Sequence, residues 1–279
     1  MNIISKNVLI VNLSQRFSEL KTYTDLGLYI GGVGMAIKLA QQFHDKDPLI
    51  FAIGPFNGYF PYASKTAFVI NETGVVEDLY IGGTLSLRMR FAGLDAIIFL
   101  GTLSEPSVIE IINSEVTFHP ANTDLDSLGL PGRRSKLNLQ NGKLLNESYF
   151  TVPERIAEEK LTNKQLSGLV LTGTEIYKPQ NFSAYTELYN KLLKKRDDMT
   201  INSGINPSCS NCPLGCVKSK EGEIGGNVLL HSLVACQFSE KIYTDIGIVF
   251  AGLNALGLNY THEDIESLPG LIEKTLKEL

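Results

Sequence analysis

Short apolar runs punctuated by turn residues dominate the first half of the chain. Leu49-Ile50-Phe51-Ala52-Ile53, Thr66-Ala67-Phe68-Val69-Ile70, Ala96-Ile97-Ile98-Phe99-Leu100 and Val108-Ile109-Glu110-Ile111-Ile112 are each bounded by Gly, Pro, Asn or Asp. That pattern predicts brief sheet strands. The stretch from Met1 to Val11 alternates and reads as a further strand, without the basic-then-apolar pattern of a secretory signal. One helix interrupts the strands: it opens near Gly32-Val33-Gly34, carries Met35, Ile37, Leu39, Ala40 and Phe43, and ends before Asp47-Pro48. Residues 121–150 are polar and loop-like, with turn signals at Pro131-Gly132 and at Asn141-Gly142, the latter suited to a tight hairpin. Strands are expected again from Glu147 to Val152 and from Leu166 to Thr172.

The period then lengthens. Asn181 is a good N-cap, and Phe182, Tyr185, Leu188 and Leu192 fall on one helix face opposite a Glu187/Lys191 pair. From Asn227 to Ala255, helical spacing runs through Leu230, Val234, Ile242, Ile246, Val249, Phe250 and Leu253, with Gly257 as C-terminal cap. A last helix near Glu263 to Leu279 is interrupted at Pro269-Gly270. The expected class is α+β: an N-terminal sheet-and-helix domain over residues 1–175, then a smaller all-helical segment over 176–279. No fixed-period repeat is evident.

Length and composition narrow the function. With 279 residues the chain can bury a large core, as one large domain or two ordinary ones, and 43% hydrophobic with 20% charged residues is ordinary globular composition. The net charge of −5 and the spread of Lys and Arg leave no electrostatic footprint for nucleic acid. No apolar stretch reaches membrane-spanning length.

The chemistry concentrates in the cysteines. Cys209, Cys212 and Cys216 lie in the run Cys-Ser-Asn-Cys-Pro-Leu-Gly-Cys, and the fourth and last, Cys236, follows twenty residues later. Thiolates suit both zinc and iron-sulfur clusters. Structural zinc sites usually use two separated Cys-x2-Cys pairs, whereas three crowded ligands and one apart favour a 4Fe-4S cube, with zinc as the rival. Pro213 and Gly215 shape the loop, and Asn206, Ser208, Ser210 and Asn211 are too polar for a core segment. Cys236 is either the fourth ligand or a buried helix residue. Cysteines so few and so gathered fit a reducing cytoplasm.

Other groups are weaker candidates. Gly31-Gly32-Val33-Gly34 lacks the Gly-x-Gly-x-x-Gly spacing of a dinucleotide site, although glycines at a helix start form a general anion cradle. His44, His119, His231 and His262 do not pair at helical ligand spacing; His231, five residues before Cys236, is an alternative ligand or an interior polar group. Glu223, Glu240 and Asp245 could act as a general base beside a metal, or could simply be solvated. No residue is assigned as catalytic.

Several landmarks together resemble the aldehyde ferredoxin oxidoreductase family, tungsten-pterin enzymes that oxidise aldehydes to acids. In order they are Tyr29-Ile30-Gly31-Gly32-Val33-Gly34, Pro48 to Pro55 with Asn57-Gly58, Phe91-Ala92-Gly93-Leu94-Asp95-Ala96, the cysteine loop, and Asn254-Ala255-Leu256-Gly257-Leu258-Asn259. The resemblance implies a duplicated sheet-and-helix N-terminal domain that cradles a pterin, a helical part that supplies cluster ligands, and electrons passing through a 4Fe-4S cluster to ferredoxin or another redox protein. It nominates Lys65, Gly82, Gly83, Asn254, Gly257, Leu258 and Asn259 as cofactor-binding and Cys209, Cys212 and Cys216 as cluster ligands, and Cys236 is expected to replace the fourth ligand that the family draws from a further helical domain.

The chain departs from the family pattern at the pterin. Lys65 stands for an arginine and lacks its bidentate fork. Tyr80 stands for an asparagine before Gly82-Gly83, Glu154 to Lys160 replaces a glycine-rich Arg-Gly-Gly-Leu-Gly stretch, and Asn254 and Asn259 replace two aspartates. The expectations are therefore an oxidoreductase carrying a tungsten or molybdenum pterin with a 4Fe-4S cluster, completed by a second copy or by a partner chain supplying a C-terminal domain, or a pterin-free iron-sulfur electron-transfer or scaffold subunit. A structural zinc protein is the third reading.

Overall fold

The computed structural model describes residues 5–72, 74–152, 155–221, 223–224 and 227–279. The start of the expected first strand, Met1 to Ile4, and Glu154 lie outside the described residues. The first part of the chain forms β1 (Lys6–Asn12), β2 (Phe17–Tyr23), helix α1 (Gly32–Gln42), β3 (Leu49–Ala52), β4 (Thr66–Glu72), β5 (Val75–Ile81), α2 (Leu85–Phe91) and β6 (Ala96–Leu100). A second set follows: β7 (Ser107–Ile112), β8 (Glu115–Pro120), β9 (Ser135–Gln140), β10 (Lys143–Asn146), β11 (Phe150–Thr151), α3 (Ile156–Asn163) and β12 (Leu166–Thr172).

The two sets share one topology. In the first sheet the strand order β5-β4-β3-β6-β1-β2 has a single parallel pair, β1 with β6, among antiparallel neighbours. In the second sheet the order β11-β10-β9-β12-β7-β8 again has one parallel pair, β7 with β12. Strand for strand the second sheet repeats the first, and α3 stands where α2 does. The counterpart of α1 has shrunk to a short turn, Leu125–Ser127, which removes any fixed sequence period.

Period-2 alternation explains why the apolar runs look continuous. Val8, Ile10, Ile50, Ala52, Ala67, Val69, Ala96 and Ile98 point into one core, and Leu9, Val11, Leu49, Phe51, Phe68, Ile70, Ile97 and Phe99 point into another. Both faces of the first sheet are therefore buried, so a polar alternate residue would be stranded without water. The second core lies between the two sheets and includes Leu85 and Met89 of α2, Ala157 and Leu161 of α3, and Phe51 stacked on Phe68 at 4.0 Å between ring centroids.

The opposite face is covered by α1 and by the second half of the chain: α4 (Phe182–Lys194), a two-residue strand β13 (Glu223–Ile224), and helices α5 (Val228–Ser232), α6 (Glu240–Tyr243), α7 (Ile246–Ala255), α8 (His262–Glu266) and α9 (Leu268–Lys277). Asn181 caps α4 by accepting from the Ala184 N–H, as expected. The long helical stretch expected from Asn227 to Ala255 is broken into α5, α6 and α7, because Val234 takes a left-handed conformation (φ 52°) and Cys236 an extended one. The second half also contains a strand: β13 adds to the edge of the first sheet, with Glu223 opposite Tyr80. Residues 121–150 contain β9 and β10, whose turn is the expected Asn141-Gly142, both at positive φ.

The Gly31-Gly32-Val33-Gly34 motif serves this packing. A Cβ on Gly32 would lie 2.2 Å from the His231 carbonyl oxygen, so the glycine lets α5 press against the start of α1. Among the described residues no helix is long and apolar enough to cross a membrane.

Candidate functional site

The residues between β3 and β4 organise the site. Buried Asn57 accepts from the Gly54 N–H at 2.7 Å and donates to the carbonyls of Ala63 and Lys65 at 3.1 and 3.0 Å. The loop it clamps reaches two distant segments at once. Tyr62 donates its N–H to Asn211 in the cysteine loop (3.3 Å), and its carbonyl accepts from the Cys236 N–H (2.9 Å). One residue therefore ties the three clustered cysteines to the fourth. Tyr62 holds φ at 65°, a strained geometry for an aromatic residue, maintained by those contacts and by the Tyr243 hydroxyl on the neighbouring Pro61 carbonyl.

The cysteine loop is set by its own backbone. Cys212 N–H bonds to the Cys209 carbonyl at 3.0 Å, and Asn211, at φ 57°, makes the turn between them. Gly215 donates to Ser208 Oγ, and Asn206 donates its N–H to the Gly215 carbonyl and its side-chain amide to the Cys216 carbonyl. The polar residues flagged in the sequence are thus the scaffold of the loop.

Cys209, Cys212, Cys216 and Cys236 are all unpaired thiols and line one cavity together with Ser64 and Lys65. Among the described residues no three His, Cys, Asp or Glu side chains converge closely enough to hold a single metal ion. The four sulfurs share this cavity, and thiolates suit both a structural zinc and an iron-sulfur cluster. Burial pushes the Cys212 thiol up to about 12 and raises Cys236 as well, with the Glu223 carboxylate adding to the latter. Those two thiols are protonated at neutral pH in the metal-free protein, so loading a metal there releases protons.

One cation and one anion face the thiols. Lys65 Nζ lies 3.8 Å from Glu223 Oε1, and both side chains are only 3% exposed. Burial alone would drive the proton off Lys65, but the Glu223 carboxylate outweighs it and holds the ammonium charged, its pKa above the ordinary range, and any thiolate formed at Cys209, Cys236 or Cys216 acts in the same direction. Glu223 also accepts from the Gln237 N–H at 3.2 Å and faces Cys236 Sγ at 3.8 Å. The two-residue strand β13 delivers this carboxylate, a long-range pairing that no local sequence signal announces.

Of the residues nominated for the pterin, Lys65 lies in the cysteine cavity and Gly82 backs onto it: a Cβ on Gly82 would stand 2.5 Å from Cys209 Sγ. Gly83 faces Asn146 and Phe150. Asn254, Gly257, Leu258 and Asn259 are placed at the C-terminal end of α7, where the Gly257 and Leu258 N–H groups bond to the Asn254 and Leu253 carbonyls as a helix stop. Asn254 and Asn259 are exposed, and Asn254 lines a separate cleft between α4 and α7 with Asn181 and Lys191. The structure thus brings Lys65, Gly82 and the four cysteines together and leaves the α7 residues elsewhere.

The other candidates have structural surroundings. His231 is buried with its ring stacked 3.7 Å from that of Tyr80 and lies outside the cysteine cavity. His119 bonds to Glu110, His44 to the Gln41 carbonyl, and His262 lies against Phe250. Asp245 caps α7, and Glu240 opens α6 on the surface.

Comparison with known proteins agrees with this architecture. No curated protein matches the chain. Among solved structures, the "active site complex BamBC of benzoyl coenzyme A reductase in complex with 1,5 dienoyl-CoA" contains a chain of the same fold, with a TM-score of 0.62 and 15% identity. The match covers 98% of the present chain and 61% of that one, so the chain spans about three fifths of its neighbour's length. The family description "aldehyde ferredoxin oxidoreductase, N-terminal domain" matches residues 8–166, both sheets apart from the start of β1, most of β12 and the added β13, and on that match the chain belongs to the aldehyde ferredoxin oxidoreductase family.

Proposed function

We propose that the chain is an iron-sulfur electron-transfer subunit of this oxidoreductase family. It holds one 4Fe-4S cluster on Cys209, Cys212, Cys216 and Cys236 and passes electrons singly between a redox partner chain and a ferredoxin-like carrier in a reducing, cytoplasmic setting. The observation that supports this most is the cavity itself: four thiols from two segments, bridged by Tyr62, around one buried cation.

The chain's part in that chemistry is positional and electrostatic. A bound cluster supplies one-electron storage. Gly82 lets Cys209 approach the sheet, Asn57 and Tyr62 fix the loop that carries Lys65, and the Lys65 charge compensates the thiolates. Cys212 and Cys236 are half-buried, while Cys209 and Cys216 are buried.

The test is metal analysis of protein purified without oxygen, with electron paramagnetic resonance after dithionite reduction. Iron and sulfide near about four each per chain, with a reduced-cubane signal, are expected. Zinc alone, or iron-free protein whose four thiols all react in the native state, overturns the reading. In the Cys212→Ala and Cys236→Ala variants iron should fall, and an unchanged signal in Cys236→Ala would remove that residue from the ligand set.

A further inference from the structure

The Gly82-Gly83 turn, where the family resemblance places a pterin, is filled by the chain's own side chains. Besides the Cys209 sulfur, the Phe150 ring would lie 3.1 Å from a Cβ on either glycine, and Asn146 Nδ2 would lie 2.4 Å from one on Gly83. Asn146 is fully buried and donates to the Gly82 carbonyl at 2.7 Å. The next residue, Glu147, accepts from both the N–H and the hydroxyl of Thr84, the residue that begins α2. Thr84 makes no side-chain cap of its own, so the Glu147 carboxylate satisfies the start of that helix from outside it.

These groups all come from one turn in the other repeat. Glu147 and Ser148, between β10 and β11, both take left-handed backbone conformations, φ 59° and 58°. Two successive non-glycine residues in that region are costly and persist only where the surroundings fix them. Here the fixing contacts are the Glu147 N–H on the Lys136 carbonyl within the second sheet and the bonds to Gly82 and Thr84 across to the first repeat. Lys65, also nominated for the cofactor, is already engaged by Glu223.

We infer that the β10–β11 turn is a built-in occupant of the former cofactor cradle: Asn146 and Glu147 take over the backbone groups a pterin cofactor would meet, and the chain carries no pterin. A cofactor phosphate at this turn would have to displace a carboxylate already bonded to Thr84 and would be repelled by it. This goes beyond the cluster assignment and does not depend on it.

The test uses the full chain, produced in a host that loads a tungsten-pterin relative in the same medium. Tungsten, molybdenum and oxidatively released pterin are measured beside iron and sulfide. The expected result is none of the first three, and pterin with either metal near one per chain overturns the inference. Iron content reports separately on the cluster. Hydrogen exchange over residues 82–86 gives the second readout. Exchange should be slow in the wild type and about tenfold faster in Glu147→Gln, which keeps the shape and loses the charge. Equal exchange in the two proteins would mean that Glu147 does not hold Thr84, and the proposed occupant falls.

Discussion

Lys65 Nζ and Glu223 Oε1 stand 3.8 Å apart with both side chains 3% exposed, a buried ion pair across a cavity lined by four cysteines. Removing one partner of such a pair leaves a lone buried charge, at a cost of about 3–5 kcal/mol, whereas replacing both by apolar groups of similar size is near neutral. Lys65→Met and Glu223→Gln should each lower the urea midpoint, and Lys65→Met/Glu223→Met should recover much of the loss. A loss in the double variant as large as the two single losses together would show that the pair contributes nothing as a pair. In the loaded protein Lys65→Met should also lower the cluster's reduction potential, since a cation near the thiolates favours the added electron.

A second charge cluster joins the two repeats. The Asp47 carboxylate accepts from Lys160 of α3 and from Lys164 just after it, and the Lys164 ammonium also reaches the Asp47 and Gly101 carbonyls. Burial alone would raise the Asp47 pKa, but the two lysine hydrogen bonds outweigh it and hold the carboxyl below its ordinary 3.8. A depressed carboxylate stabilises the fold above its unfolded value and loses that contribution as pH falls through the folded one. The stability difference between wild type and Asp47→Asn should therefore be constant above about pH 5 and shrink below about pH 4. Asn accepts the left-handed backbone at this position, φ 51°, so the variant isolates the charge. A difference that does not change with acid would refute the linkage.

Particular residues show what was legible in the sequence. The runs in β3, β4, β6 and β7 announced themselves because both faces of the first sheet and the inner face of the second are covered. The edge strand β2, with mostly exposed or half-exposed residues, gave no such signal. Strand β9, Ser-Lys-Leu-Asn-Leu-Gln, looked like loop because it is short and only partly buried, yet its turn at Asn141-Gly142 was readable from turn chemistry. The duplicated topology had no sequence period to reveal it once the counterpart of α1 was lost. At the site, cysteine spacing named the thiols, but Tyr62 and Glu147 act through contacts 149 and 63 residues away in sequence and Glu223 through a two-residue strand, and such pairings leave no local pattern.

Close approach at Gly82 yields a contrast between two glycines. Ala at position 82 would place a methyl 2.5 Å from Cys209 Sγ and 3.1 Å from the Phe150 ring, so the cysteine loop must shift. Gly82→Ala should lower thermal stability and reduce iron retained per chain. Gly270, inside α9 with nothing within 4 Å, should respond in the opposite sense: Gly270→Ala is expected to stabilise by about 0.5–1 kcal/mol with iron unchanged. Full iron content in Gly82→Ala would mean that the cysteines are not held by this packing.

Asn57 tests whether the loop between β3 and β4 positions the cavity. Its fully buried amide accepts one backbone hydrogen bond and donates two, the second to the carbonyl of Lys65 itself. Asn57→Ala leaves a donor and two acceptors buried without partners, a loss of at least about 2 kcal/mol. Asn57→Asp keeps the shape and the acceptor for Gly54 but sets a carboxylate oxygen against two carbonyls, so it should be at least as damaging. Because Lys65 and Tyr62 belong to the same loop, both variants should also lose iron faster in air than a surface variant such as Lys274→Ala. A destabilised Asn57→Ala protein with an unchanged rate of iron loss would separate the clamp from the cysteine cavity and confine its role to the sheet.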